Sequence, residues 1–250
     1  MAQQKGIIKI EGTIGELTFY KSQDGHLVKT KGGVSAERIA TDPNFVRTRE
    51  NGQEFANAAS AGKLLRDTFR VMMLTASDNR VTSRLTKLMT DIKNEDGTSA
   101  RGERNVGVGI ATPSGLQMLN GFEFNINAIL TSIVYASGVT IDLVTGVTTI
   151  PGLTPINDIA YPSGATHVTF SAGYAIVNFA GGDSEIKFTN KVNLPIDGAT
   201  STVTLTPSAL PAGTGTKVYA VEVEFFQEVN GVQYVLKNGA LNALAIVNVG

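Results

Sequence analysis

Two rhythms of apolar and polar positions run along this chain. Between residues 41 and 94 the apolar positions recur at helical spacing. Phe45, Phe55, Ala59, Leu65, Phe69 and Met72 form one set. Val81, Leu85, Leu88 and Ile92 form a cleaner stripe at i, i+4, i+7 and i+11. Thr41-Asp42-Pro43 offers a cap and a first-turn proline to the first set, and Ser77-Asp78-Asn79 caps the second. Asn94-Glu95-Asp96-Gly97 ends it. The pattern predicts two helices paired antiparallel across a short connection. Gly52 and Gly62 fall inside the first helix, where each costs up to about 1 kcal/mol against Ala. The sequence therefore predicts a close backbone neighbour at these glycines, or a break near Gly52.

The flanking segments follow the rhythm of strands. Gly6–Phe19 reads as strand, turn and strand, with Ile8, Ile10, Ile14, Leu17 and Phe19 as its apolar set. Asp24-Gly25 between two apolar runs marks a hairpin, and Lys29–Val34 is its basic exit. Residues 97–121 are glycine-rich without periodicity and read as a loop or linker. Beyond Gly121 the pattern is β throughout. Phe122–Asn127 alternates strictly, and Ala128–Ala136 is an apolar run of the length of a buried strand. Thr140–Val144 and Thr148–Ile150 flank a turn. His167–Phe170, Tyr174–Phe179, Glu185–Phe188 and Thr202–Thr206 are further strands. Val218–Glu228 and Val232–Leu236 form a hairpin across Asn230-Gly231, and Ala243–Val249 is the last strand. The fold class expected is mainly β (α+β): a β-hairpin plus helical pair over 1–105, then an immunoglobulin-like or jelly-roll β-sandwich over 106–250.

Charge sharpens this division. Residues 1–105 carry 17 Lys/Arg and 13 Asp/Glu, whereas residues 106–250 carry 4 and 9. The second part is hydrated mainly by hydroxyls, amides and backbone, which suits a wall or fibre better than a metabolic enzyme. Cysteine is absent, which excludes disulfides, thiolate chemistry and Cys-ligated zinc. The N-terminal residues lack the apolar stretch and cleavage site of a Sec signal, so synthesis in the cytoplasm is expected, with any extracellular or particle-associated role following release. No run approaches the ~18 apolar residues of a membrane span.

Candidate chemistry is sparse. His26 and His167 stand alone, without the neighbours that a metal or nucleophilic site requires. Ala61-Gly62-Lys63-Leu64 lacks the earlier glycine and following Ser/Thr of a phosphate loop. No cofactor motif is present. Glu222 and Glu224 share a strand face, with Glu228 beyond, and a glycosidase would need a partner carboxylate opposite them. The basic stripes Lys63/Arg66/Arg70 and Arg80/Arg84/Lys87 are interleaved with acids, which disfavours nucleic acid and suits protein–protein contact. Head-to-tail contact between basic helices and an acidic sandwich would generate rings or filaments. Terminal apolar strands can be donated to a neighbour's sheet edge. The intersubunit contacts expected are therefore Arg66, Arg70, Arg84 and Lys87, with Ile8 and Ile10 at one end and Ala245 and Val247 at the other.

The N-terminal third resembles a family of small uncharacterised proteins encoded in Bacteroidota and their phage-like elements. The resembling residues are Gly12-Thr13-Ile14-Gly15-Glu16-Leu17-Thr18-Phe19-Tyr20-Lys21, Leu27-Val28-Lys29, the glycines at 32 and 33, and Phe45-Val46-Arg47-Thr48-Arg49-Glu50-Asn51-Gly52-Gln53-Glu54-Phe55. The resemblance implies a hairpin-plus-helix module without assigned function, often in a β-rich context. Together these features predict a non-enzymatic structural subunit that self-assembles into a filament, tube or virion-like particle. The alternative is an immunoglobulin-like adhesion or glycan-binding module using loops such as Pro151–Pro162.

Overall fold

In the computed structural model, which describes residues 2–31, 33–136, 138–236 and 241–250, the chain divides into two units, Met1–Glu50 and Asn51–Gly250. Gly32, in the basic exit from the first hairpin, lies outside the described residues.

The first unit is a four-stranded antiparallel sheet. Its strands are β1 (Ala2–Gln3), β2 (Gly12–Ile14), β3 (Leu17–Ser22) and β4 (Gly25–Thr30), in the order β1-β4-β3-β2. The hairpin expected at Asp24-Gly25 is present: Ser22 pairs with Gly25, which adopts φ +104. Gly6–Ile10 is not the strand that its isoleucines suggested. The Gln4 side chain takes the place of a ladder partner: Ile10 N donates to its Oε1 at 2.9 Å, and its Nε2 donates to Ile10 O at 3.1 Å. That clasp closes residues 4–10 into a loop and leaves Ile7 and Ile8 projecting, 102% and 81% exposed. A short helix α1 (Ala36–Thr41) follows, capped by Ser35, whose Oγ accepts from Arg38 N. Thr41-Asp42-Pro43 then starts a 3-10 turn, Pro43–Phe45, capped by Asp42.

Helix α2 (Val46–Thr68) follows directly, and α3 (Arg70–Met73) continues it after Phe69. The helix does not break at Gly52. Helix α4 (Val81–Asn94) buries Val81, Leu85, Met89 and Ile92, so the predicted stripe is right except that Met89 is buried where Leu88 is only partly so. The antiparallel pairing holds. Glu54 bonds Lys93, Gly62 faces Leu85 and Met89, and Arg66 bonds Thr82, so rising numbers on α2 meet falling numbers on α4. A Cβ at Gly62 would lie 3.7 Å from Thr86 N, the close backbone expected, whereas Gly52 faces open space.

Residues 97–121, read as a linker, carry two helices, α5 (Val106–Gly109) and α6 (Pro113–Leu119). They lack a periodic stripe because they are short and approach their neighbours through glycine. Asp96 holds the preceding loop. Its carboxylate accepts from the N–H groups of Thr98, Ser99 and Asn105 at 3.1, 2.9 and 3.1 Å. Burial opposes its ionisation, but these donors overcome the penalty and hold it well below the usual carboxylate range.

Ala128–Ala136 is not a strand. It contains helix α7 (Leu130–Ile133), and Val134 then bridges Ile159. An apolar run this short carries no period that separates helix from strand. The remaining elements are β5 (Thr140–Ile141), β6 (Thr148–Leu153), α8 (Pro155–Asp158), β7 (His167–Asn178), β8 (Asp183–Phe188), β9 (Val192–Pro195), β10 (Ser201–Leu205), β11 (Thr216–Val229), β12 (Val232–Val235) and β13 (Ala243–Val249). The two strands expected over 167–179 are one, running unbroken through Gly173.

Long strands β7 and β11 pair antiparallel at the centre of a six-stranded sheet. β13 and β12 lie in succession along the far side of β11, and β8 and β9 along that of β7. A smaller sheet has the order β10-β6-β5. Side chains alternate between two cores. Val218, Ala220, Ala175, Val177, Leu244 and Ile246 face the helices, with Leu65, Leu85 and Phe124. Val221, Val223, Phe225, Val168 and Phe170 face the other way, onto Ile150, Val203 and Leu205 of the small sheet. The second unit is thus layered, helices on sheet on sheet, and the fold is α+β with a β-sandwich, as the patterning indicated. Residue 105, where the charge changes, lies inside this unit.

Candidate functional site

The basic residues expected at an interface divide by their surroundings. Arg84 is committed within the chain. Its Nη1 donates to Glu123 O at 2.7 Å, and its Nη2 donates to Phe124 O at 3.1 Å and to the Asp78 carboxylate. Its guanidinium also lies 5.1 Å from the Phe122 ring centre. These bonds tie the start of α4 to the segment that precedes α7, so Arg84 is a clamp and not a free contact. Arg66 is half-buried and donates to Thr82 Oγ1. Arg70 and Lys87 are exposed.

The terminal strands divide likewise. Ala245 is buried and pairs with Val221 on β11, while Glu123 bridges it on the other side. Phe124 N donates to Leu244 O and Ile246 N donates to Phe122 O, so the outer edge of β13 is already covered there. Val247 packs against the sandwich core. Ala245 and Val247 therefore pair and pack within their own chain. Phe122–Asn127, read as a strand, is the short segment that covers this edge.

Ile8 and Ile10 are exposed, and they belong to a wider feature. In the first unit only Leu27 among the described residues is buried. Ile7, Ile8, Ile10, Ile14 and Leu17 are all exposed large apolar side chains. A second such feature is the hairpin of β11 and β12. Its turn at Asn230 and Gly231 has both φ angles positive, +54 and +78, as a two-residue hairpin requires. All four β12 residues are exposed, and Val229, Val232, Tyr234 and Val235 give the hairpin an apolar surface.

The carboxylates do not make a hydrolytic pair. Glu222 and Glu224 lie two apart on β11, both buried on the helix-facing side of the sheet, with no acid among the described residues placed opposite them across a cleft. Glu224 is bonded by Lys191 Nζ at 3.0 Å. His167 Nε2 lies 3.6 Å from Glu228, and the described residues contain no cluster of three His, Cys, Asp or Glu suited to a metal. A cleft of about 300 Å³ opens beside the small sheet, lined by aliphatic residues with Phe170 and two threonines. Its walls offer few of the hydrogen-bonding groups that a glycan demands.

Two internal groups escaped the sequence reading. Lys93, in the last turn of α4, is buried against Glu54 of α2, whose other oxygen accepts from Gly102 N at 2.9 Å. Glu123 is the other. Burial pushes its carboxyl up to about 7, against the Leu130 N–H and the Arg84 charge that favour ionisation. Neither shows in a pattern of apolar spacing, because each depends on a partner far along the chain.

No helix of the described residues is long and apolar enough to cross a membrane. No protein-family model, curated protein or solved structure matches this chain.

Proposed function

We propose that this chain is a non-enzymatic structural subunit that self-assembles into a filament, tube or virion-like particle, and that its N-terminal third belongs with the Bacteroidota proteins it resembles. The observation that carries the reading is the N-terminal sheet. Among the described residues of the first unit, four short strands, helix α1 and a 3-10 turn bury a single leucine and expose five isoleucine and leucine side chains. Ordering one residue costs about 1–2 kcal/mol of backbone entropy, and a sheet without a covered apolar face cannot offset that. Exposed apolar patches of this kind mark protein–protein contacts. The covering surface we assign is a second copy of the chain. The basic surplus of residues 1–105 and the acidic surplus of residues 106–250 favour head-to-tail contact, which builds rings or open filaments. Arg70 and Lys87 remain available to such contacts, and the β12 hairpin offers them a second apolar surface.

The test is the double variant Ile8→Asp/Ile10→Asp in the full chain. Neither residue is buried in the subunit, so its folding is expected to be unchanged by circular dichroism and thermal melting. Its mass by light scattering is expected to fall to the monomer while wild type stays larger. A variant as large as wild type would show that the N-terminal sheet does not build the assembly.

A further inference from the structure

Glu222 is a titratable group that assembly does not use, and its surroundings give it a role. It lies on β11 opposite Ser171 of β7 and Leu244 of β13, and is 3% exposed. Its Oε1 is 2.8 Å from Thr75 Oγ1, just after α3, and its Oε2 is 3.0 Å from Ser171 Oγ. The charges bearing on it are Glu224, on its own strand, and Lys191, whose ammonium is bonded to Glu224. Among the described residues, its hydrogen-bond partners from other elements are the Thr75 and Ser171 hydroxyls, and Leu244 is its pairing partner on β13.

Proton counting around Thr75 decides what state fits. Thr75 Oγ1 lies 2.8 Å from Glu222 and also 3.2 Å from the Met72 carbonyl. A hydroxyl has one proton to give. If Glu222 is ionised, Thr75 donates to the carboxylate and its bond to Met72 is lost. If Glu222 is protonated, its O–H donates to Thr75, Thr75 donates to Met72, and Ser171 donates to the other carboxyl oxygen. Only the protonated state satisfies all three contacts.

We propose that Glu222 is a proton-operated latch: when protonated it joins β11, Thr75 and the Met72 carbonyl in one chain of hydrogen bonds, and when ionised it keeps Thr75 but draws that proton away from Met72, which loosens the end of α3. Burial, with the neighbouring Glu224 charge, pushes its carboxyl up to about 7, so the latch works near neutral pH. The folded chain then holds this proton more tightly than the unfolded chain does. Its contribution is full below about 4.5, and declines as pH rises towards 7. Asn242 Nδ2, donating to Thr75 O at 3.3 Å, ties the same segment to the start of β13.

Hydrogen exchange on the full chain tests this at the amides of Met73, Leu74 and Thr75, whose bonds run back to Phe69, Val71 and Met72. In wild type, protection there is expected to fall at least about tenfold between roughly pH 6 and pH 8. Glu222→Gln keeps a donor for Thr75 and an acceptor for Ser171, and is expected to hold protection constant. Glu123→Gln removes the other carboxyl held near 7 and is expected to leave the wild-type response intact. Constant protection in wild type would overturn the latch, as would an equal fall in Glu222→Gln or a response abolished by Glu123→Gln. If the Glu222→Gln variant does not fold, the carboxyl carbon of Glu222 is followed by NMR in wild type. A midpoint near 7, shared by the Thr75 amide, supports the latch. A midpoint near the ordinary carboxylate value overturns it.

Discussion

Gly109→Ala is expected to cost about 3 kcal/mol or more, the upper range for overpacking. A Cβ at Gly109 would stand 2.0 Å from the Ile92 carbonyl oxygen of α4, and one at Gly115 would stand 2.1 Å from the Gly109 carbonyl oxygen. Both obstacles are backbone, so no rotamer change relieves them. α5 must move away from α4, or α6 from α5, and either movement opens the core around Ile92, Val106, Ile110 and Leu119. For a domain of this size such a loss lowers the melting temperature by roughly 6–12 °C. Gly52→Ala is the matched control, because a Cβ there meets nothing within 4 Å. It should stabilise the chain by about 0.5–1 kcal/mol, the ordinary helix advantage of Ala over Gly. Thermal melts of wild type and the two variants check the account. Equal effects at Gly52 and Gly109 would contradict close packing at α5.

Lys93→Ala is expected to cost about 3 kcal/mol, because it strands the Glu54 carboxylate in a buried setting. Lys93, bonded to Glu54, and the Gly102 N–H together hold the Glu54 carboxyl below its ordinary range. A depressed carboxyl contributes stability that is present above its ordinary value, 4.5, and is lost as pH falls through the folded value. Wild type should therefore lose part of its stability in acid, and Lys93→Ala should lose less over the same interval. Replacing both partners by apolar residues of similar size, Glu54→Leu with Lys93→Met, should recover most of the loss. Urea unfolding at about pH 7 and about pH 3.5 reads both effects. A double replacement as unstable as Lys93→Ala would show that the cost lies in lost packing and not in the stranded charge.

The fold was legible wherever one rhythm ran long enough to be unambiguous. The stripe from Val81 to Ile92, the hairpin turn at Asn230-Gly231 and the layered sandwich all follow from local pattern. Three segments read differently in sequence and in structure, each for its own reason. Gly6–Ile10 looks like a strand, but the side chain of Gln4 takes both backbone bonds of Ile10 and closes the segment into a loop. Ala128–Ala136 is too short for its period to separate helix from strand. Residues 97–121 look like a linker because glycine, which there serves close approach of helices, is also the commonest residue of loops. The nominated contact residues divide as well. Charge spacing found Arg84, but only tertiary structure shows that Asp78, Glu123 and Phe124 already occupy it. The exposed isoleucines at 7, 8 and 10 were visible in sequence as apolar residues; that nothing in their own unit covers them was not.

The measurement that bears most directly on self-assembly is the solution mass of the purified full chain across protein concentration and salt, followed by negative-stain imaging of the largest fraction. The account predicts a mass well above 26.4 kDa, weakened by salt and by Ile8→Asp/Ile10→Asp, with regular tubes, filaments or shells in the images. A stable 26.4 kDa species at every concentration and salt would contradict it.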